Sequence, residues 1–136
     1  MKTIKVSEAT TTQLDWLVAK IEDFPIQTEG YYNDELDREE ITKLHGCNVF
    51  GRYASDTEWS PSTIWDQGGE IIEREGIDIS VHVIHNGVIT SWAAGSSTWP
   101  SDAVVSATGA TPLIAVMRCY VSSQLGLEVE LPDVIQ

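Results

Sequence analysis

A chain of 136 residues with 21 acidic and 8 basic side chains carries a formal charge of −13, a field that opposes direct contact with nucleic-acid phosphates. The length suits a single domain with its own core, and the two cysteines, Cys47 and Cys119, form no spacing motif, which fits a reducing cytoplasm. No stretch reads as a signal sequence or as a membrane span, so membranes join nucleic acid among the excluded partners.

The first element is an N-terminal helix over about 11–23. Leu14, Leu17, Val18 and Ile21 fall on one apolar stripe, the Thr10–Thr12 run supplies the N-cap, and Pro25 stops the helix. Trp16 lies about 160° from that stripe at 3.6 residues per turn. It needs cover from a loop or a second copy, and a homodimer is therefore expected. Glu29 to Glu40 (EGYYNDELDREE) reads as a solvated acidic loop or short charged helix, and Cys47 to Ala54 as a strand.

The sharpest local signal is Asn86-Gly87 between two β-branched runs, the pattern of a two-residue hairpin turn. The hairpin spans 77–94, with His85 facing Val88 and Val81 facing Trp92. Val81, Val83, His85, Val88, Thr90 and Trp92 then share one face, with Trp92 on the more apolar side. Ser96 to Ala110 reads as a small, polar loop. A buried C-terminal helix follows over about 112–125, with Thr111 as N-cap, Pro112 at its first position and Gly126 as its stop. It is apolar almost all round except at Arg118. The tail alternates before Pro132 and adds a short strand. The fold class is α+β: one small domain in which an antiparallel sheet holding the hairpin packs against the C-terminal helix, with the N-terminal helix beside it.

Chemistry is harder to find. There is no Gly-x-Ser-x-Gly turn, no phosphate-cradling glycine loop, and no metal pair, since His82 and His85 are three apart in a strand and point to opposite faces. No catalytic residue, metal or cofactor is expected, and an enzyme working through Asp66 or Glu73 is the weakest of the readings. What remains is a binding constellation. Trp59, Ser62, Thr63, Trp65 and Gln67 lead into Gly68-Gly69 ahead of a short helix, where glycines let a ligand approach the backbone and free N–H groups favour an anion. Trp59, Trp65 or Trp92 offers a face on which a ring can stack. Arg118 supplies a planar cationic fork for phosphate or carboxylate. Two plainer readings stand beside this one: the loop is pinned to the core by its aromatics, or Arg118 is paired with Glu70, Glu73 or Glu75.

Three blocks, TTTQLDWLVAKIE, SPSTIWDQGGEIIEREGI and GATPLIAVMRCYVSSQLGLEVELPD, together resemble the NinX-like family of small bacteriophage proteins. That family has an L-D-W-x-V-A-K start, an S-T-D-W-x-Q-G-G-P-I-I-E-R-E centre and a T-P-L-I-A-A-M-R-C-Y-V-x-S-x-L-G end. The chain departs from it at Ile64, where the family has Asp, and at Asp66 and Glu70, where it has Ala and Pro. The resemblance implies a phage origin and the host cytoplasm, and it names no reaction. By class-level analogy, small phage proteins without catalytic motifs include anti-defence sponges that sequester nucleotide-derived signals. The expectation is therefore a non-enzymatic phage accessory protein that binds a small anionic, ring-containing, nucleotide-type ligand. The alternative is an acidic protein–protein inhibitor, or DNA mimic, of a host nucleic-acid-binding protein.

Overall fold

The computed structural model describes residues 1–46, 58–100 and 106–136. The strand expected at Cys47 to Ala54 lies outside the described residues. Helix α1 (Thr11–Ile21) opens on a capping box. Thr10 Oγ1 accepts from the Gln13 N–H at 3.2 Å, and the Gln13 side chain accepts from the Thr10 N–H at 3.0 Å. Leu14, Leu17 and Val18 of its stripe are buried. Trp16 is half-buried against the core, and the Lys20 ammonium lies over its ring, 5.1 Å from the centroid.

Helix α3 (Pro112–Leu125) is the centre of the molecule, with Leu113, Ala115, Val116, Met117, Cys119, Tyr120 and Val121 all buried. Thr111 caps it by accepting from the Ile114 N–H at 3.2 Å, and Gly126, at φ 94°, ends it. Burial pushes the Cys119 thiol up to about 11, as expected of an inert core cysteine. Helix α3 packs against α1 and across the sheet formed by β4 (Ile77–His85), β5 (Val88–Ser96) and β6 (Ser106–Gly109), in that order. The α+β class stands.

The hairpin turn has the expected form, with Asn86 at φ 50° and Gly87 at φ 77°, His85 opposite Val88 and Val81 opposite Trp92. Between those pairs the register shifts twice, inserting His82 in β4 and then Thr90 in β5. The expected single face is therefore broken in the middle. Ile77, Ile79, Trp92 and Ala94 of the inner half meet the core, while residues 80–90 are all exposed.

Part of the expected polar loop after Ser96 is β6, paired with β5 from Trp92↔Gly109 to Gly95↔Ser106. Its small residues have a packing reason: a Cβ on Gly109 would stand 2.7 Å from the Ala115 nitrogen, so only glycine lets α3 lie this close.

The acidic stretch is neither loop nor helix. It belongs to a second hairpin, β2 (Ile26–Asn33) and β3 (Arg38–Gly46). Asn33 Oδ1 accepts from the Glu35 and Leu36 N–H groups at 3.0 and 3.2 Å and forms the turn. Opposite charges meet across the strands, with Glu29 facing Lys43 and its carboxylate 2.6 Å from His45 Nε2. Strand β1 (Lys2–Lys5) pairs with the tail strand β7 (Glu128–Leu131), placing Lys5 opposite Glu128.

Helix α2 (Trp65–Glu75) is tied to the other two helices at one point. Arg74 donates to Glu22 Oε1 at 2.7 Å and to the Tyr120 hydroxyl at 3.2 Å, and that hydroxyl donates to Glu22 Oε2 at 3.2 Å. Burial, with the Glu22 charge adding to it, pushes the Tyr120 phenol up to about 12. Among the described residues no helix is long and apolar enough to cross a membrane.

Candidate functional site

The stretch from Trp59 to Gln67 is organised around a residue that its own sequence does not contain, Asp15 of α1. Asp15 is 4 % exposed. Its Oδ2 accepts from the Ser60 hydroxyl at 2.7 Å and its Oδ1 from the Ser62 N–H at 3.0 Å. Its backbone carbonyl accepts from Trp59 Nε1 at 2.9 Å. Ser60 Oγ also lies 2.5 Å from Thr63 Oγ1. Burial raises the Asp15 carboxyl to about 6, against the lowering effect of its hydrogen bonds to Ser62 and Ser60.

The Gln67 side chain is turned inward as well, while Thr63 and Asp66 are exposed. Gln67 Oε1 accepts from the Ser60 N–H at 2.6 Å, and Gln67 Nε2 donates to the Glu58 carbonyl at 2.7 Å. Phe24 stacks on the Trp59 ring at 4.5 Å between centroids and 16° between planes. Helix α2 begins at Trp65, not after the glycines, because the Gln67 and Gly68 N–H groups already bond to the Ile64 carbonyl. Gly68-Gly69 is thus inside the helix, and the expected anion-accepting turn is not formed there. Gly68 is needed for packing, since a Cβ would stand 2.5 Å from the Pro61 carbonyl oxygen, whereas one on Gly69 would meet nothing within 4 Å.

The expected site residues are spread over three clefts, of which Trp59 and Thr63 line one of about 150 Å³ with Asp15 and Ser60. Ser62, Thr63 and Trp65 line another of about 210 Å³, closed by Thr111 and Leu113 at the start of α3. Trp65 is 55 % exposed and is the one expected ring that lines it. Trp92 is half-buried against the core. Arg118 lies one helical turn beyond Ile114, and it lines a separate cleft of about 450 Å³ with Lys5, Ser7, Ser106, Ser122 and Glu128. The structure therefore does not gather the nine expected residues in one place.

Arg118 is the unusual member. None of Glu70, Glu73 or Glu75 pairs with it, and among the described residues no carboxylate lies within ion-pair distance. Its Nη atoms donate to the Thr108 carbonyl at 3.0 Å and the Ala9 carbonyl at 3.1 Å, while its Nε is buried with no hydrogen-bond partner. Burial lowers its pKa, but a guanidinium keeps its charge. Two cations, Arg118 and Lys5, and one carboxylate, Glu128, thus line a cleft that also includes Ala107 and Leu127. In a chain of net charge −13 this is a local reversal of sign.

Sequence reasoning singled out Arg118 but not Lys5, Ser7, Ser106 or Ser122. Ser122 shares the Arg118 face of α3 by helical period, which was a usable signal. Lys5 and Ser7 arrive only through the β1–β7 pairing, and Ser106 through β6. Among the described residues no cluster of three His, Cys, Asp or Glu side chains is arranged to hold a metal. No curated protein matches the chain. The family model described as Bacteriophage P22, NinX matches residues 5–124, and the chain belongs to that family.

Proposed function

We propose that this phage protein is a non-enzymatic binder that sequesters a small anionic, ring-bearing ligand of nucleotide type, and that the Arg118 cleft receives it. One observation carries the reading: a guanidinium held in place by two backbone carbonyls, with no carboxylate of the described residues at ion-pair distance, lines a cleft beside Lys5 and three serines. Carbonyls orient Arg118 without neutralising it, so its charge is available to a phosphate or carboxylate. Ser7, Ser106 and Ser122 add hydroxyl donors, and Ala107 with Leu127 gives an apolar wall for a ring. The anion anchor therefore moves from the Gly68-Gly69 turn to Arg118 and Lys5. Calorimetric titration of cyclic dinucleotides and ADP-ribose derivatives tests the reading. Binding by the wild type, lost in Arg118→Ala and kept in Trp65→Ala, supports it. Absence of binding by the whole panel, or binding indifferent to Arg118, removes it.

A second reading, an acidic inhibitor or DNA mimic aimed at a basic host protein, rests on the β2–β3 hairpin. Glu29, Asp34, Glu35, Asp37 and Glu39 are all exposed there. Salt-sensitive capture of a DNA-binding host protein, abolished by neutralising those five carboxylates, is its test.

A further inference from the structure

The outer half of the β4–β5 hairpin is a bare two-stranded arm. Residues 80–90 are exposed on both faces, including Ile84 and Val88 at 62 % each and Val81, Val83 and Ile89. Strand β6 pairs with β5 only as far as Trp92, so beyond that point neither edge of the arm pairs with another described strand. An isolated two-stranded hairpin is marginal in water, and exposed edges are normally protected by lysine, proline or other charge. Apart from the two register shifts at His82 and Thr90, this arm has no such protection: no Asp, Glu, Lys or Arg occurs from Ile79 to Pro100.

We infer that the arm is a self-association surface and that its occupant is the arm of a second copy. Charge selects that occupant. Two bodies of net charge −13 repel one another, and contact through the charge-free segment is the arrangement that opposes this least. From Val81 to Asn86 the arm extends by roughly 16 Å, five steps of about 3.3 Å. Two arms laid side by side therefore hold the acidic bodies apart by more than the Debye length of about 8 Å in physiological salt. A basic partner, by contrast, would find no complementary charge on the arm. Side-by-side arms give a two-fold interface in which Ile84, Ile89 and Val88 of each copy are covered by the same residues of the other. The inference is independent of the ligand reading, since the Arg118 cleft shares no residue with the arm.

Sedimentation velocity on the purified full chain tests it, with Ile84→Asp and Val88→Asp as variants at exposed positions and circular dichroism to verify that they fold. The wild type is expected to be dimeric at micromolar concentration, to associate more tightly as salt rises, and to lose affinity at least tenfold in either variant. Amide exchange across residues 80–90 should slow as wild-type concentration increases. A wild type that stays monomeric at every attainable concentration overturns the inference. So does a dimer that salt weakens, or one that both substitutions leave unchanged. Co-sedimentation of a monomeric wild type with a host protein or lipid vesicles would assign the arm to another occupant and overturn it equally.

Discussion

Asp15 and Arg118 are both ionisable groups drawn out of water, and they are treated in opposite ways. Around Asp15 the chain assembles hydrogen-bond donors from a distant segment, and both carboxylate oxygens are engaged. Around Arg118 it supplies two carbonyl acceptors and leaves Nε without a partner. A carboxylate so fully served by its own chain is a fastener: it joins α1 to the segment ahead of α2. A guanidinium oriented but not neutralised keeps its capacity for an outside anion. The contrast is why the proposed anion site is the cation on α3 and not the segment around Trp59, whose polar groups are bonded to Asp15.

The largest expected effect is on the Asp15 side. Asp15→Ala leaves the Ser62 N–H without an acceptor and opens a small cavity, for a loss of about 3 kcal/mol in urea unfolding. A loss below the precision of that measurement would break the contrast, because Asp15 would then fasten nothing.

Next comes pH. The folded carboxyl titrates at about 6, above the ordinary aspartate value, so the folded state holds this proton more tightly than the unfolded chain. Its stabilising contribution is therefore complete below the unfolded pKa of about 3.9 and disappears as pH rises through about 6, a change on the order of 2–3 kcal/mol. In Asp15→Asn this component should vanish and the stability profile between about pH 4 and 7 should flatten. An amide can still accept from the Ser62 N–H and donate to Ser60 Oγ. Parallel profiles for the two proteins would place the titration elsewhere.

Arg118→Ala should cost only about 1 kcal/mol in stability, since losing two bonds to carbonyls is offset by relief of the buried, unpartnered Nε. The same change should weaken ligand binding by about 10–100-fold, the worth of a charge-assisted hydrogen bond. A melting temperature that collapses in this variant would make Arg118 a fastener too. The smallest effect is at Gly69, inside α2 with open space at its Cβ position. Gly69→Ala should stabilise by about 0.5–1 kcal/mol without altering binding, whereas Gly68→Ala should destabilise through its clash with Pro61. Thermal melts of the pair check both signs.

What could be read from the sequence follows from how locally each feature is encoded. The Asn86-Gly87 turn and the Thr111-Pro112 start of α3 are set by neighbouring residues, and both stand where expected. The β2–β3 hairpin was hidden because its stabilising pairs, such as Glu29 with Lys43, lie 14 residues apart, and its core-facing residues Ile26, Ile41 and Leu44 do not alternate across the bulge. Strands β1 and β6 have four residues each, too few for a period to show. Asp15 sits 100° from Leu14 on α1 and reads as solvent-facing; only the arrival of Ser60 and Ser62 makes it interior. The same limit applied to the cleft. Arg118 stood out as a charge on an apolar helix, but Lys5 and Ser7 come to it through pairing of the two ends of the chain.

The Asn86-Gly87 turn also has a chemical lifetime. Glycine places no side chain in the way of its own backbone nitrogen, so that nitrogen can close onto the preceding asparagine side chain and expel ammonia. Hydrolysis of the resulting ring leaves an aspartate, or an isoaspartate with an extra carbon in the main chain. Either product puts a negative charge at the tip of the one arm that has none, and the second also breaks the geometry of the turn. Aged protein would then carry like charges on surfaces that fresh protein keeps neutral, and the arm would act as a molecular clock.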